Sequence, residues 1–326
     1  MKSPRCSEKG GWMMLKRQKK EPESNSFAKI NRIRPATNAI FSTVMSVIAV
    51  TAVVPVILVF IISITSSESL TRRGFSFFPM STNTVAYDNL FKTGSQLVDS
   101  YLVTIEVTAL HTFVSVLIMM MYAYVLAQQR FAARKVYTFI VFFTMLFSGG
   151  LVPSYIINVN VFHLYDTFWI LTLSGMVSAF NIIVLRTFIS TTIPIDLFDA
   201  AQIDGATDFT IFWHIVVPLS KAGLATIALF VLVGKWNEWF TGMLYIENPK
   251  LIPLQTMLTR IQQKIDFIKN NSSIASTPDG MALIKSMPSE QTRMAIVVLT
   301  TVPVLFAYPF FQRYFIQGMT IGSVKG

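Results

Sequence analysis

Six stretches of this chain, each about as long as the roughly 20 apolar residues a helix needs to cross a bilayer, limit its fold more than any other feature. They cover about 39–64, 101–127, 136–157, 167–190, 221–246 and 291–315. Inside hydrocarbon only a helix or a closed barrel pairs all of its backbone, and runs of this length suit helices. The predicted fold class is therefore all-α and polytopic, with six transmembrane helices. The third stretch contains Gly149, Gly150 and Pro153, an interruption that neighbouring helices can accommodate by re-satisfying the backbone. Charged residues make up 13% of the chain, against about 25% in soluble domains, too few for a wholly soluble surface.

The net charge of +10 would suit a nucleic-acid partner only if it lay on a folded face. Instead, ten of the 27 Lys and Arg residues fall in residues 1–39, ahead of the first apolar run. Arg130, Arg134 and Lys135 follow in the loop after the second run, Arg186 and Lys221 flank the fourth and fifth, and Arg313 and Lys325 lie at the end. Nine basic residues, from Arg72 to Arg293, are left for the opposite side. The excess marks its side as cytoplasmic, so both termini are expected inside, and nucleic acid is not an expected partner. The expected division is a basic cytoplasmic segment over 1–38 and a transmembrane domain over 39–326. Cys6 is the only cysteine and His111, His163 and His214 are scattered, so neither an internal disulfide nor a metal site is expected. The first apolar run is too long for a signal peptide. Residues 1–12 show no apolar periodicity, and Lys9-Gly10-Gly11 is encodable by a purine-rich ribosome-binding stretch just ahead of Met13 and Met14. The mature chain is accordingly expected to start at Met13 or Met14.

Two long loops, 65–100 and 247–290, fall on the outer side. In the second, Leu254, Met257, Leu258 and Ile261 recur at i, i+3, i+4 and i+7, which predicts an amphipathic helix on the outer face. Between the fourth and fifth spans, on the inner side, lies the segment 194–218. Here Asp196 is read as an N-cap, with Asp199 adding charge that suits the helix dipole. Gly205 ends the helix where a left-handed residue is needed. Thr207 caps a second helix, and Pro218 marks the break before the next span. The result is a helix–glycine–helix knob, with Ala200 and Ala201 leaving one face open to close approach. A helix resting on the membrane surface is the alternative, but Asp196, Asp199, Asp204 and Asp208 suit anionic lipid poorly.

The spacing Asp199-Ala200-Ala201, Gly205, Ile215 and Val217-Pro218 resembles the Glu-Ala-Ala signature of binding-protein-dependent permeases of ABC importers, the MetI-like family. Asp stands for Glu and Val for Leu. Within the family the chain looks like the carbohydrate importers, and among them those for oligosaccharides and polysaccharide fragments. Pro253–Leu258 and the run from Tyr308 to Gly326 carry that likeness. The resemblance implies that Asp199, Ala200, Ala201, Gly205, Ile215 and Pro218 form the coupling helix seated on an ATPase subunit. It further implies a second homologous permease, two ATPase subunits, an extracellular sugar-binding protein and a multi-pass place in the bacterial inner membrane. In relatives the C-terminal tail can reach the ATPase dimer. The chain has no Gly-x-x-x-x-Gly-Lys-Ser/Thr loop, so ATP and Mg are expected on the partner ATPases, with no cofactor here and no catalytic residues.

Ionisable groups within spans are expensive and usually face a bundle interior or a cavity. The fifth span holds Lys235-Trp236-Asn237-Glu238-Trp239, roughly 21–27 Å along the helix from Lys221 at 1.5 Å per residue. Trp236, Asn237, Glu238 and Trp239 are candidate pathway residues, because indoles stack on sugar rings and amides pair with hydroxyls. An aromatic belt with a locally neutralised Lys235–Glu238 pair is the competing reading. Glu106 and His111 in the second span are weaker candidates. A secondary solute carrier, the alternative function, predicts internal repeats and a coupling-ion site of buried acids, and a membrane-embedded enzyme predicts a clustered catalytic set. Neither pattern is evident.

Overall fold

The computed structural model describes residues 35–93, 95–271 and 289–322. The expectations for the start site, for most of the basic segment and for the last four residues of the tail lie outside this range. Among the described residues the only β structure is an isolated bridge between Thr65 and Thr82. The fold is all-α.

Helix α1 spans Pro35–Ile64. To Val56 it belongs to a separate compact unit, and its side chains there, among them Ile40, Phe41, Met45 and Ile48, are exposed. Residues 57–322 build the main unit. Short helices α2 (Ser67–Arg73) and α3 (Val85–Thr93) precede α4 (Ser95–Ala127), which starts six residues ahead of the predicted span. The third predicted span is two pieces, α5 (Arg134–Leu146) and α6 (Leu151–Ile156, continued as a π turn to Val161), bent by 110°. Gly150 takes φ +87° at the junction, a conformation that costs a glycine almost nothing.

The fourth and fifth predicted spans are also interrupted, where continuous helices were expected. In the fourth, α7 (Phe168–Leu173) and α8 (Ala179–Thr192) are separated by residues 174–178, where Gly175 has φ +71° and Ser178 caps α8. In the fifth, α11 (Lys221–Trp236) stops at Asn237 and α12 (Phe240–Tyr245) resumes after Trp239. Between these spans lie α9 (Ile195–Ile203) and α10 (Asp208–Ile211), the latter continued by a π turn at Phe212–Val216 and a last turn at Val217–Leu219. The amphipathic segment forms α13 (Leu254–Asn270), and α14 runs unbroken over Glu290–Gly322 despite Pro303 and Pro309. Among the described residues three helices are long and apolar enough to cross a membrane, or up to six if each of the bent pairs α5–α6, α8–α9 and α10–α11 is one span.

Helix α4 is the centre of the main unit and packs against α5, α7, α8, α11 and α13. One core cluster joins Met119, Met120, Leu126, Leu185, Ile189 and Ile227 to Phe198, Ile211, Phe212 and Val216 from the segment between the spans. Several buried hydroxyls bond carbonyls within their own helices, while Thr108, Ser115 and Ser220 find no partner among the described residues. Thr104 donates to the Ser100 carbonyl at 2.6 Å and Thr300 to the Ile296 carbonyl at 2.7 Å, so neither is left unpaired in apolar surroundings.

Candidate functional site

Two places combine polar groups with an unusual backbone: the segment 194–218 and the break at 237–239.

In the first, α9 leaves α8 at 76°, and the helix beginning at Asp208 meets α11 at 80°. These two bends set the segment off as a knob. Its N-cap is Pro194, with no side-chain cap. Asp196 therefore lies in the first turn and is not the expected N-cap, because Pro194 already holds the extended conformation a cap needs and starts the helix two residues earlier. At the other end Gly205 has φ +82°. Its N–H bonds the Gln202 carbonyl at 3.0 Å, and the Ala206 N–H bonds the Ala201 carbonyl at 2.9 Å. These are the paired bonds of a Schellman ending, which needs a left-handed residue at that position. Thr207 accepts the Thr210 N–H at 3.3 Å and caps α10.

The knob is anchored by Phe198, whose ring lies 6.3 Å from that of Tyr124 on α4, and by Phe212, 5.6 Å from the same ring. Ala201, Ala206 and Ile215 pack against that core, whereas Ala200 and Pro218 are exposed. Ile203 is 86% exposed and Phe209 67%, beside the exposed acids Asp196, Asp204 and Asp208. Neither apolar residue is singled out by the sequence, since each fits an amphipathic period; only the bends turn them outward. Asp199 accepts a 2.6 Å bond from Arg130 in the loop after α4, a partner 69 residues away in sequence. Between that loop and the knob is a cleft of about 640 Å³, lined by Tyr124, Gln128, Arg130, Gln202, Thr207 and Asp208.

The second place is about 24 Å along α11, at 1.5 Å for each of its 16 residues. Lys235 is buried, with its Nζ 3.9 Å from Glu238 and 3.5 Å from the Ser174 carbonyl. Glu238 also accepts the Thr241 N–H at 2.7 Å, which starts α12. A cavity of about 270 Å³ is lined by Lys235 and Glu238 together with His111, Ser178, Asn181 and Thr241. His111 donates through Nδ1 to the Thr172 carbonyl at 2.7 Å.

The four pathway candidates are divided. Glu238 lines the cavity. Trp239 is 41% exposed, edge-on to Phe240. Asn237 is exposed and bonds Gln255. Trp236 is buried, edge-on to Tyr101, and its indole N–H bonds the Thr300 carbonyl on α14 at 3.0 Å. Of the two weaker candidates, His111 lines the cavity, while Glu106 is exposed on α4.

Residues 31–321 match the model of a family described as the inner membrane component of binding-protein-dependent transport systems. The protein LplC of Bacillus subtilis (strain 168) is 37% identical over 265 residues, 81% of this chain and 86% of that one. The polygalacturonan/rhamnogalacturonan transport system permease protein YtcP of the same strain is 36% identical over 264 residues, 81% of this chain and 89% of its own length. Among solved structures, a bacterial ABC transporter involved in importing the acidic polysaccharide alginate superposes with a TM-score of 0.73 at 29% identity, covering 87% of this chain and 99% of that one. The resemblance first carried by Asp199-Ala200-Ala201 and Gly205 is borne out.

Proposed function

Because this chain belongs to the family of inner membrane components of binding-protein-dependent transport systems, we propose that it forms one half of the translocation pathway of an ATP-driven oligosaccharide importer. It is a permease subunit of an ABC transporter of the sugar-importing kind. The knob at 194–218 carries this reading: a short helix closed by Gly205, set off by two bends, with Ile203 and Phe209 exposed beside three carboxylates. Exposed apolar residues within a polar rim mark a protein contact. The occupant we assign is an ATPase subunit, which holds the ATP and Mg. Asp199, Ala200, Ala201, Gly205, Ile215 and Pro218 shape the contact, and closure of the ATPase pair moves the knob with α8 and α11.

The remaining partners are a second homologous permease, a second ATPase copy and an extracellular sugar-binding protein. The cavity around Glu238, together with Trp239, is this chain's share of the pathway, where amide, hydroxyl and indole groups suit a sugar. Taking α5 with α6, α7 with α8 and α11 with α12 as one span each, beside α1, α4 and α14, gives six spans in the bacterial inner membrane, with both termini and the knob in the cytoplasm. The relatives named for polygalacturonan, rhamnogalacturonan and alginate transport point to polysaccharide fragments as cargo. The test is reconstitution into proteoliposomes with the co-purifying permease and ATPase. Oligogalacturonide uptake is expected only with ATP inside and binding protein outside; uptake that persists without ATP, driven by an ion gradient, would identify a secondary carrier instead.

A further inference from the structure

A helix broken at membrane depth leaves carbonyl and N–H groups that need partners. At 237–239 two are supplied locally: Asn237 donates to the Val233 carbonyl at 2.8 Å, and Glu238 accepts from Thr241. Helix α13 adds one bond to the backbone of the break and one to its Asn237 side chain. Thr256 donates to the Trp239 carbonyl at 3.0 Å, and Gln255 donates to the Asn237 side-chain oxygen at 3.2 Å. Arg260 reaches the Gly242 carbonyl at 3.3 Å and the Ile246 carbonyl at 2.5 Å.

The approach is close enough that a Cβ on Gly242 would lie 2.2 Å from Thr256 Oγ1 and 3.0 Å from Pro253 Cδ. On its far side α13 is fastened to the long helices. The Leu254 N–H bonds Thr104 Oγ1 on α4 at 2.9 Å, Leu254 packs with Leu97 and Ile296, and Gln262 accepts from Arg293 of α14. So α13 ties the break to α4 and α14, and the break carries Lys235 and Glu238 at the cavity wall.

We propose that α13 is a strut whose Gln255, Thr256 and Arg260 are positioning residues for the cavity, so that a load on the outer-face helix reaches the Lys235–Glu238 pair directly. The consequence for transport rests on the permease reading; the mechanical role does not. In that reading α13 lies on the side where the binding protein delivers sugar, at the far end of α11 from the knob. A binding protein that shifts α13 therefore alters the cavity before any movement of the knob.

The experiment uses the complete transporter in nanodiscs, with two readouts on Gln255→Ala, Thr256→Val and Thr256→Ser. The first is ATPase stimulation by sugar-loaded binding protein. It is expected to fall about fivefold in Gln255→Ala and Thr256→Val, roughly what one hydrogen bond is worth, with basal hydrolysis unchanged and Thr256→Ser close to wild type. The second is amide hydrogen exchange, expected to rise about fivefold over 238–242 and to stay constant over 224–232. Wild-type exchange at 238–242 in both Gln255→Ala and Thr256→Val would overturn the proposal, as would full stimulation in both. If even the wild type shows no stimulation, the permease reading fails, and exchange alone decides whether α13 holds the break.

Discussion

Trp236 and Trp239 lie three residues apart at the break, and the structure separates them by what their indoles touch. Trp236 is consumed by packing between α4 and α14 and by its bond to Thr300. Trp236→Ala should therefore lower the stability of the purified complex by about 3–5 kcal/mol, the usual loss for an aromatic removed from a core. Trp236→Phe, which keeps most of the ring volume, should lose about 1 kcal/mol for the missing donor. Trp239→Ala is expected to leave the melting temperature within about a degree or two, as exposed substitutions do, while lowering sugar uptake severalfold. Thermal unfolding in detergent beside uptake in liposomes separates the two; equal melting temperatures for Trp236→Ala and Trp239→Ala would contradict the assignment. From the sequence the two were equivalent, both aromatic and both near an ion pair. What distinguishes them is a carbonyl 64 residues away, and no local pattern encodes that. Lys235 and Glu238 were legible as a pair, because a spacing of three is set by the helix alone.

At the scale of elements, the knob was the most legible part of the chain. Its glycine, its Thr207 cap and its terminal bend each follow from a residue with one strong conformational preference. Gly205 sits at φ +82°, where a β-branched residue is strained by about 1–3 kcal/mol. Gly205→Val should cut uptake at least tenfold while ATP hydrolysis continues, whereas Gly205→Asn, which tolerates the left-handed region, should keep most uptake. Vanadate-sensitive ATPase measured beside uptake checks this, and normal coupling in Gly205→Val would remove the knob from the mechanism. The interrupted spans were only partly legible. Gly149-Gly150 announced the first break, but Gly175 is a lone glycine in its span and Asn237 a lone asparagine beside the Lys235–Glu238 pair. An isolated glycine or asparagine is tolerated in many helices and becomes a break only when neighbours supply partners, as Ser178 and α13 do here. The same dependence hid Ile203 and Phe209, whose exposure follows from the angles of α9 and α10.

For the whole molecule, the six-span count and the sidedness of the knob are open to direct measurement. In a background with Cys6→Ser, single cysteines at Asp204 and at Lys264 should label from opposite faces of sealed vesicles, Asp204 from inside and Lys264 from outside. Labelling of both from one face would require a different topology. The interrupted helices also bear on how such a chain enters a membrane. The 13 residues of α5, the 14 of α8 and the 16 of α11 reach only about 20–24 Å at 1.5 Å per residue, against roughly 30 Å of hydrocarbon. None of them can sit in lipid by itself with its ends satisfied. Helices α1, α4 and α14 can. The newly made chain can close these broken segments on α4, which precedes them in the chain, but α4 alone does not supply every partner. Segments emerging early have to wait for α13 and α14, made last. Quality control then falls on the final stretch synthesised: a chain truncated before residue 254 would leave the break at 237–239 without the partners that make it tolerable in a bilayer.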